Sequence, residues 1–554
     1  MSVETATRPT AMSEAPDFPL PPLPDSWRSL AHAYVEAARA NRNKIGLCDS
    51  TGASLTFGDS LVRVLALSRV LSRLLGPEPN LGLFLPATVP ACVANISAMM
   101  LGKTAVNLNF TAGQAVLDSS VEQAGIKQIL TSPKIIQKAN LTPKGELIFL
   151  EDLKDKVTTA DKIWAASMAR LAPVGLLGRW LPGLRGNSLD KAATIIFTSG
   201  STGDPKGVIL SHSNILSNVH QIRNHIELLP DEVVLGCLPF FHSFGFTVTI
   251  WTILCLAKKC VYHFNPLDSR VIADLCESHG VTMIASTPTF MRSYLQRGRP
   301  EQFAKLVHLL LGAEKLKPEL ARDIKAKLGI DAMEGYGCTE TGPVASVNVP
   351  EDRKTPDGRP VYGNRLGTVG RLVPGTSLKM LDLETGAELP KGSEGLIALK
   401  GPQIMVGYLN RPEATEKVLK NGWYITGDIG VQDSDGFLRI TDRLSRFSKI
   451  AGEMVPHSGV EAAIVAATHA SEQALVVTGV PDLKRGERLA VVHTDMGMTP
   501  EAVYRTLLAG ALPKLWIPSA DDFVCVEEIP ILGTGKLDLR KIRQIAIDQL
   551  QSKS

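Results

Sequence analysis

Short apolar runs alternate with stretches of helical periodicity along most of the chain, an order that predicts parallel sheets covered by helices. LGLFLP (81–86) precedes ACVANISAMMLG (91–102), and VTMIAS (281–286) precedes TFMRSYLQRG (289–298). Between about Gly367 and Gly436 the texture changes to short strands punctuated by turns, in VPGTSL, DLETGAELP, GSEGLIALKG and DSDGFLRI. This predicts an antiparallel module joined to the α/β body. After Asp442 come an amphipathic helix pattern (459–467), a strand (474–480), further helices and a glycine loop, GTGK, which predict a small C-terminal α/β domain. Residues 246–257 are apolar for only about a dozen positions before Lys258 and Lys259, which predicts a buried core helix.

Composition narrows the class. The chain has 554 residues with 59 basic and 56 acidic side chains, a net charge of +3, and no basic run interleaved with aromatics. Nothing favours nucleic acid as a partner. Eight cysteines scattered from Cys48 to Cys525 without a CxxC fit a reducing, cytoplasmic setting rather than a disulfide framework or zinc site. Residues 1–26 are polar, then proline-rich, and read as a disordered lead-in without a signal pattern. No stretch reaches the roughly 18 uncharged apolar residues of a membrane span. Residues 165–185, where Met168, Leu171, Val174 and Trp180 alternate with Arg170, Arg179 and Arg185, read either as a linker packed on the protein or as a peripheral contact with the inner face of a membrane.

The chemistry centres on TIIFTSGSTGDPKGVILSH (194–212). Ile195, Ile196 and Phe197 read as the end of a strand, after which Thr198, Ser199, Gly200, Ser201, Thr202 and Gly203 lack the bulk that would keep phosphates from backbone N–H groups. Lys206 adds a positive charge. A Walker loop has glycine before its lysine and Ser or Thr after it; Pro205 and Gly207 stand there instead. The motif points to a nucleotide triphosphate held by another loop type.

Five further segments follow in order: LPFFHSFGF (238–246), GAEKL (312–316), EGYGCTET (334–341), GWYITGDIG (422–430) with TDRLSRFSKIAGE (441–453), and LGTGKLD (532–538). With the first loop they resemble the adenylate-forming superfamily of acyl-CoA synthetases, luciferases and adenylation domains, from about residue 27 to 550. FHSFGFTVTIW, GAEKL, EGYGCTETGPVASVNVP, LKGPQIMVGYL and RFSKIAGEMV look more narrowly like the synthetase half of bacterial bifunctional acyl-acyl-carrier-protein synthetase and 2-acylglycerophosphoethanolamine acyltransferase. No His-and-Asp acyltransferase signature lies upstream, so the chain reads as a free-standing synthetase. The resemblance implies an N-terminal AMP-binding domain over 27–441, a hinge over 442–446 and a mobile C-terminal domain over 447–554.

An acid reacts with a thiol only once its hydroxyl becomes a leaving group, and ATP supplies this by transferring AMP to the carboxylate; positioning and charge neutralisation do most of the work. The loop 198–206 would close on the β and γ phosphates, and Thr339 with Glu340 would reach phosphates and a shared Mg²⁺, a hard ion suited to carboxylate and phosphate oxygen. By resemblance Asp428 is the ribose clamp, with Arg443 beside it. Tyr336, between Gly335 and Gly337, would stack on adenine, which the backbone of Gly312, Ala313 and Glu314 would border. Resemblance makes Lys536 the adenylation lysine bridging carboxylate and α-phosphate, and places His242 at the carboxylate end of the acyl pocket. Phe240, Phe241, Phe244 and Phe246 suit an apolar tail, and the absence of an aspartate in LPFFHSFGF disfavours an amino acid. Rotation about Asp442–Arg446 would bring Lys449 and Gly452 to the thioester-forming face. Ser445 stands where many relatives carry Lys or Asp.

The expected activity is thus an ATP- and Mg²⁺-dependent, AMP-forming ligase that joins a fatty acid to the thiol of coenzyme A or of phosphopantetheinyl acyl carrier protein. Two alternatives stay open: activation for a non-thiol fate, such as lactone closure or acylation of a lysophospholipid with a partner, and a catalytically silent acyl- or nucleotide-binding protein.

Overall fold

The parallel strands divide between two sheets. In the computed structural model the described residues are 19–186, 188–198, 205–350, 363–451, 453–471, 474–482, 485–510, 512–531 and 537–552. Among them, nine strands form one sheet whose centre runs Ala332–Gly337, His308–Leu311, Met283–Ser286, Val233–Gly236, Lys259–Tyr262 and Ile45–Asp49, all parallel. Antiparallel strands close both edges. The second sheet has seven strands, among them Lys206–Ser211, Ala192–Thr198, Thr104–Asn107 and Asn80–Leu83. Near-continuous apolar runs such as HLLL, buried at every position, fit strands covered on both faces. Thr198 pairs with Lys206 across a hairpin, so the two described ends of the phosphate-type loop are held side by side. Its residues 199–204 lie outside the described set.

The helix His212–His225 follows directly. Ser211 and Asn214 form a reciprocal capping box, which satisfies backbone donors at the helix start. Asn214, Asn218 and Gln221 are buried polar side chains at helical spacing, and each spends its amide on another segment. Asn214 Nδ2 donates to the carbonyls of Pro402 and Ile404, Asn218 Nδ2 to Val344, and Gln221 Nε2 to Pro374 and to Gln403 Oε1. The helix therefore joins both large sheets to the loop that ends in Tyr408.

The core helix expected over 246–257 takes another form. Phe244–Thr252 is a π-helix that passes into a short α-helical turn, Ile253–Cys255. Three buried threonines shape it: Thr249 Oγ1 donates to the carbonyl of Gly245 at 2.6 Å, Thr252 Oγ1 to Thr247 at 3.1 Å, and Thr247 Oγ1 to Gly342 at 2.7 Å. Gly245 permits this path, because a Cβ there would lie 2.2 Å from the carbonyl oxygen of Pro239.

The antiparallel module is a five-stranded sheet of Ser377–Leu381, Gly395–Lys400, Trp423–Gln432, Leu419–Lys420 and Leu438–Arg443. It ends at Arg443; after a short turn, Leu444–Arg446, the strand Phe447–Ile450 opens the C-terminal sheet. That sheet also has five strands, packed with His457–Thr468, Pro500–Ala509 and Leu539–Ser552. The predicted helix at 459–467 and strand at 474–480 are these elements, the strand running Leu475–Asp482.

One expectation needs adjusting. The lead-in was drawn to residue 26, yet Leu23 packs against the main core and a Cβ at Gly375 would meet Leu20, so the described part of that segment lies on the body. Residues 165–185 include the end of the helix Thr159–Leu171, whose Ala165 and Ala169 are buried, and the short helix Val174–Leu177. Among the described residues no helix is long and apolar enough to cross a membrane.

Gly245→Ala is expected to lower stability by about 1–3 kcal/mol, the usual cost of overpacking a filled core. Thermal denaturation measures it; an unchanged midpoint would mean that the π-helix does not need glycine at this position.

Candidate active site

The strand Ala332–Gly337 carries its motif to the mouth of a cavity of about 3670 Å³. Tyr336 Oη donates to Asp428 Oδ2 at 2.6 Å, and Arg443 Nε lies 2.7 Å from Asp428 Oδ1. Register explains the second contact, since Asp428 and Arg443 face each other on neighbouring antiparallel strands. Burial, then the Asp428 carboxylate, push the Tyr336 hydroxyl well above its ordinary pKa, which keeps it a donor. The same carboxylate raises the pKa of Arg443. Each oxygen of Asp428 thus has one of these two partners, and an ionised carboxylate oxygen can accept a further hydrogen bond.

A second cluster forms at the turn Thr339–Thr341. Glu340 Oε1 accepts a 2.8 Å hydrogen bond from Tyr408 Oη, and Lys206 Nζ sits 5.2 Å from the centre of the same phenol ring. Tyr408 therefore stands between the lysine of the first loop and the glutamate of the TE turn. Ser243 Oγ approaches Thr339 Oγ1 at 3.4 Å, joining the FFHSFGF segment to that turn. His242 lines the cavity, its ring tilted against Phe241 at 4.7 Å between centroids, and Phe241 packs edge-on against Phe110. Ile222, Ile226, Val248, Leu310 and Val347 supply apolar wall to the same cavity.

Gly312 and Ala313 border the cavity through their backbone. Ala313 has φ +67°, a left-handed conformation costing a non-glycine residue about 1–2 kcal/mol. Neighbouring bonds hold it there: Gly312 N donates to Ser286 O, while Glu314 Oε2 accepts from Thr289 N and Thr289 Oγ1. The Glu314 side chain thus secures the start of the Pro288–Arg297 helix.

Thr198, Lys206, His242, Gly312, Ala313, Glu314, Gly335, Tyr336, Gly337, Thr339, Glu340, Asp428 and Arg443 all line the one cavity. Ile531, Leu537 and Asp538, which flank the 532–536 loop, line it too. Lys449 does not; it is exposed on the strand Phe447–Ile450, where its N–H donates to Glu487. Ser199, Gly200, Ser201, Thr202, Gly203, Gly452 and Lys536 lie outside the described residues. The site also contains Tyr408, Tyr424 and Ser243, none singled out from sequence, while Glu334 is buried behind it with its carboxylate on Leu316 N. Tyr408 and Tyr424 sit inside the motifs VGYL and GWYITGD, where a tyrosine on a strand reads as core.

Among the described residues no group of three or more His, Cys, Asp or Glu could hold a metal ion. Thr339 and Glu340 offer one hydroxyl and one carboxylate. That set fits a magnesium ion shared with phosphate oxygens and water, and not a cage made by protein alone.

Residues 34–409 match the AMP-binding enzyme family. The chain is 30% identical over 550 residues to 4-coumarate–CoA ligase 5 of Oryza sativa subsp. japonica, covering 96% of each chain. It is 27% identical over 572 residues to the long-chain-fatty-acid–CoA ligase of Salmonella typhimurium, covering 97% of this chain and 98% of the other. Among solved structures, ATP-bound MatB from Rhodopseudomonas palustris superposes with a TM-score of 0.75 at 26% identity, over 94% of this chain and 99% of that one.

Glu334 gives a pH test. Burial raises its pKa to about 7, against the opposing pull of a hydrogen bond from Leu316 N. The folded state therefore holds a proton that the unfolded state releases above about pH 4.5, and Glu334 costs stability progressively as pH rises from there to about 7. Glu334→Gln keeps the acceptor for Leu316 and is expected to gain stability relative to the parent across that window, with the gain level above it. Melting midpoints of both proteins from pH 5 to 8 check this; a constant difference would show that Glu334 does not titrate there.

Proposed function

The chain belongs to the AMP-binding enzyme family, and we propose that it is an AMP-forming ligase that activates a fatty acid with ATP and passes the acyl group to a pantetheine thiol. Coenzyme A is the proposed acceptor, with phosphopantetheinyl acyl carrier protein as the competing one. The observation that carries this reading is a single cavity holding both polar clusters, Tyr336–Asp428–Arg443 and Lys206–Tyr408–Glu340, together with the apolar wall of Ile222, Ile226, Val248 and Val347. The names of the aligned relatives, which include long-chain-fatty-acid–CoA and 4-coumarate–CoA ligases, support an acid–thiol ligase.

In the first half-reaction a carboxylate oxygen of the acid attacks the α-phosphorus of ATP, the bond to the bridging oxygen breaks, and pyrophosphate leaves. Lys206 and the loop 199–203 neutralise the leaving phosphates. Asp428 accepts from the ribose hydroxyls through the lone pairs that Tyr336 and Arg443 leave unused. A magnesium ion, held by Glu340 and Thr339 with phosphate oxygens, would supply further charge neutralisation when bound. Lys536 bridges carboxylate and α-phosphate, and His242 stands at the carboxylate end of the apolar wall. In the second half-reaction the thiol sulfur attacks the acyl carbon and AMP departs as the leaving group. Lys449 and Gly452 serve this step after the C-terminal domain turns.

The decisive measurement is mass spectrometry of products formed from ATP, a fatty-acid mixture, coenzyme A and holo acyl carrier protein offered together. Acyl-CoA is expected to dominate; acyl carrier protein as the main acyl product would reverse the acceptor assignment, and no thioester at all would sink the ligase reading. Lys536→Ala is expected to abolish acid-dependent pyrophosphate exchange while thioester formation from supplied acyl-adenylate persists. Equal loss of both would overturn the separation of roles. Asp428→Ala is expected to raise the KM for ATP at least about tenfold, the loss of roughly 1.4 kcal/mol of binding, with far less change in the KM for acid.

A further inference from the structure

The segment 159–185 presents an apolar surface that the fold does not use. On its inner side the Thr159–Leu171 helix is firmly attached: Ala165 and Ala169 are buried, and Asp161 is held by both Arg73 nitrogens at 2.9 Å and by Arg69 at 2.9 Å. The pairing keeps the Asp161 carboxyl well below the usual carboxylate range. On its outer side Ile163 is 63% exposed and Leu171 81% exposed, and Trp180, just beyond the helix, is 48% exposed. Leu171 lies seven residues after Trp164, on the same helix face two turns on. The Trp180 ring packs edge-on against Trp164 at 6.0 Å. Leu171, Trp164 and Trp180 therefore form one ridge, with Ile163 beside it.

Beyond Asp161 the segment's own charge has one sign. From Lys162 to Arg185 there are four cationic side chains, Lys162, Arg170, Arg179 and Arg185, and no acidic one. Arg185 is fixed by its own bonds to the carbonyls of Gly178 and Arg179. Lys162, Arg170 and Arg179 are exposed, and among the described residues none has a carboxylate partner within ion-pair distance. Arg179 also lines a cavity of about 820 Å³, together with Arg28, Arg185 and His32 and with two carboxylates, Asp25 and Glu36. A tryptophan and two aliphatic side chains, with exposed Arg170 and Arg179 next to Leu171 and Trp180 in sequence, match the apolar-to-polar gradient of a bilayer surface with anionic headgroups. A protein partner of the same shape would need a matching set of carboxylates around an apolar socket, and a second copy of this face would set arginine against arginine.

We propose that the ridge of Ile163, Leu171 and Trp180, with Arg170 and Arg179 at its border, docks this protein on an anionic lipid surface. Trp180 and Leu171 enter the headgroup layer, and the arginines meet lipid phosphates. The proposal is independent of the ligase reading, though an acid of low water solubility would be drawn from the same surface.

The test is co-sedimentation with phosphatidylcholine vesicles made with and without phosphatidylglycerol, using the full chain. The parent protein is expected to sediment with the anionic vesicles and far less with the neutral ones. A Leu171→Glu, Trp180→Glu double variant and an Arg170→Glu, Arg179→Glu double variant are each expected to lower binding at least about tenfold, given the apolar and electrostatic contributions of such anchors. Leu508→Glu, an exposed apolar position on the C-terminal domain, is the control expected to bind as the parent does. Circular dichroism melts establish that the variants fold. Equal binding by all four proteins, or no binding by the parent, overturns the proposal. So does a parent dimer that the double variants dissociate while vesicles are ignored, which would make the ridge a contact between copies. Loss of vesicle binding on addition of millimolar inorganic phosphate, with a raised melting midpoint, would assign the arginines to a free phosphate site and also overturn it.

Discussion

Two distant parts of the chain converge on the carboxylate of Asp428. Tyr336 comes from the last parallel strand of the nine-stranded sheet, Arg443 from the last strand of the antiparallel module, and the chain passes from Arg443 through a short turn into the C-terminal sheet. Asp428 is 4% exposed, so its charge is out of water and depends on these two partners. A buried carboxylate paired once on each oxygen is held in orientation without being saturated. The site can therefore be rigid and still accept a ligand's hydroxyls. The same pairing ties the sheet that carries the TE turn to the module that leads to the C-terminal domain.

Rigidity on the other side of the cavity has a similar origin. Asn214, Asn218 and Gln221 are buried on the helix after the first loop, and each amide must find a partner or pay for its desolvation. Their partners lie in the segments around 344, 374 and 402–404. Tyr408 follows closely on that last stretch and pairs with Gly207's strand, Val208 facing Tyr408 in register. Its ring can then meet Lys206 while its hydroxyl reaches Glu340. A polar ladder inside the core thus fixes the spacing between the lysine of one motif and the glutamate of another, some 130 positions apart in sequence.

Much of this was legible in the residues, and what was not has physical causes. The alternation of apolar runs and helical patterns announced parallel sheets because most of those strands are buried on both faces and are mainly apolar. The motif residues that line the cavity were found because small residues, a lysine and a glutamate in fixed order leave a strong local signature. Tyr408 was missed because its importance comes from partners in two distant segments; on its own, an aromatic on a short strand looks like core. The π-helix at Phe244–Thr252 was read as an ordinary helix since a segment apolar nearly all round has no periodicity to betray a wider turn, and the constraint comes from Gly245 meeting the carbonyl of Pro239. Glu334 looked like one more motif letter, because its altered proton affinity follows from burial that only the fold creates.

The link between the two large domains bears on how one cavity serves two half-reactions. Two polar contacts lie at this link. Ser458 Oγ donates to Asp442 Oδ2, joining the C-terminal helix to the last strand of the module, while Arg446 pairs with Glu461 on that same helix. Arg446 closes the turn and Glu461 lies beyond it, so for a rotation ahead of Arg446 their pair travels with the C-terminal domain. Asp442 lies before it, so its bond to Ser458 is the one that a rotation about residues 444–446 must break. A half-buried neutral-to-charged hydrogen bond of this kind is modest in strength, on the order of 1.5–3 kcal/mol when fully formed and less where water competes. That is small enough to be exchanged at each turnover and large enough to bias the resting orientation. The placement of Ile531, Leu537 and Asp538 in the cavity, with Lys449 outside it, is the orientation in which that bond is made. In the proposed cycle, turning the domain to bring Lys449 inward therefore begins with the release of Ser458 from Asp442.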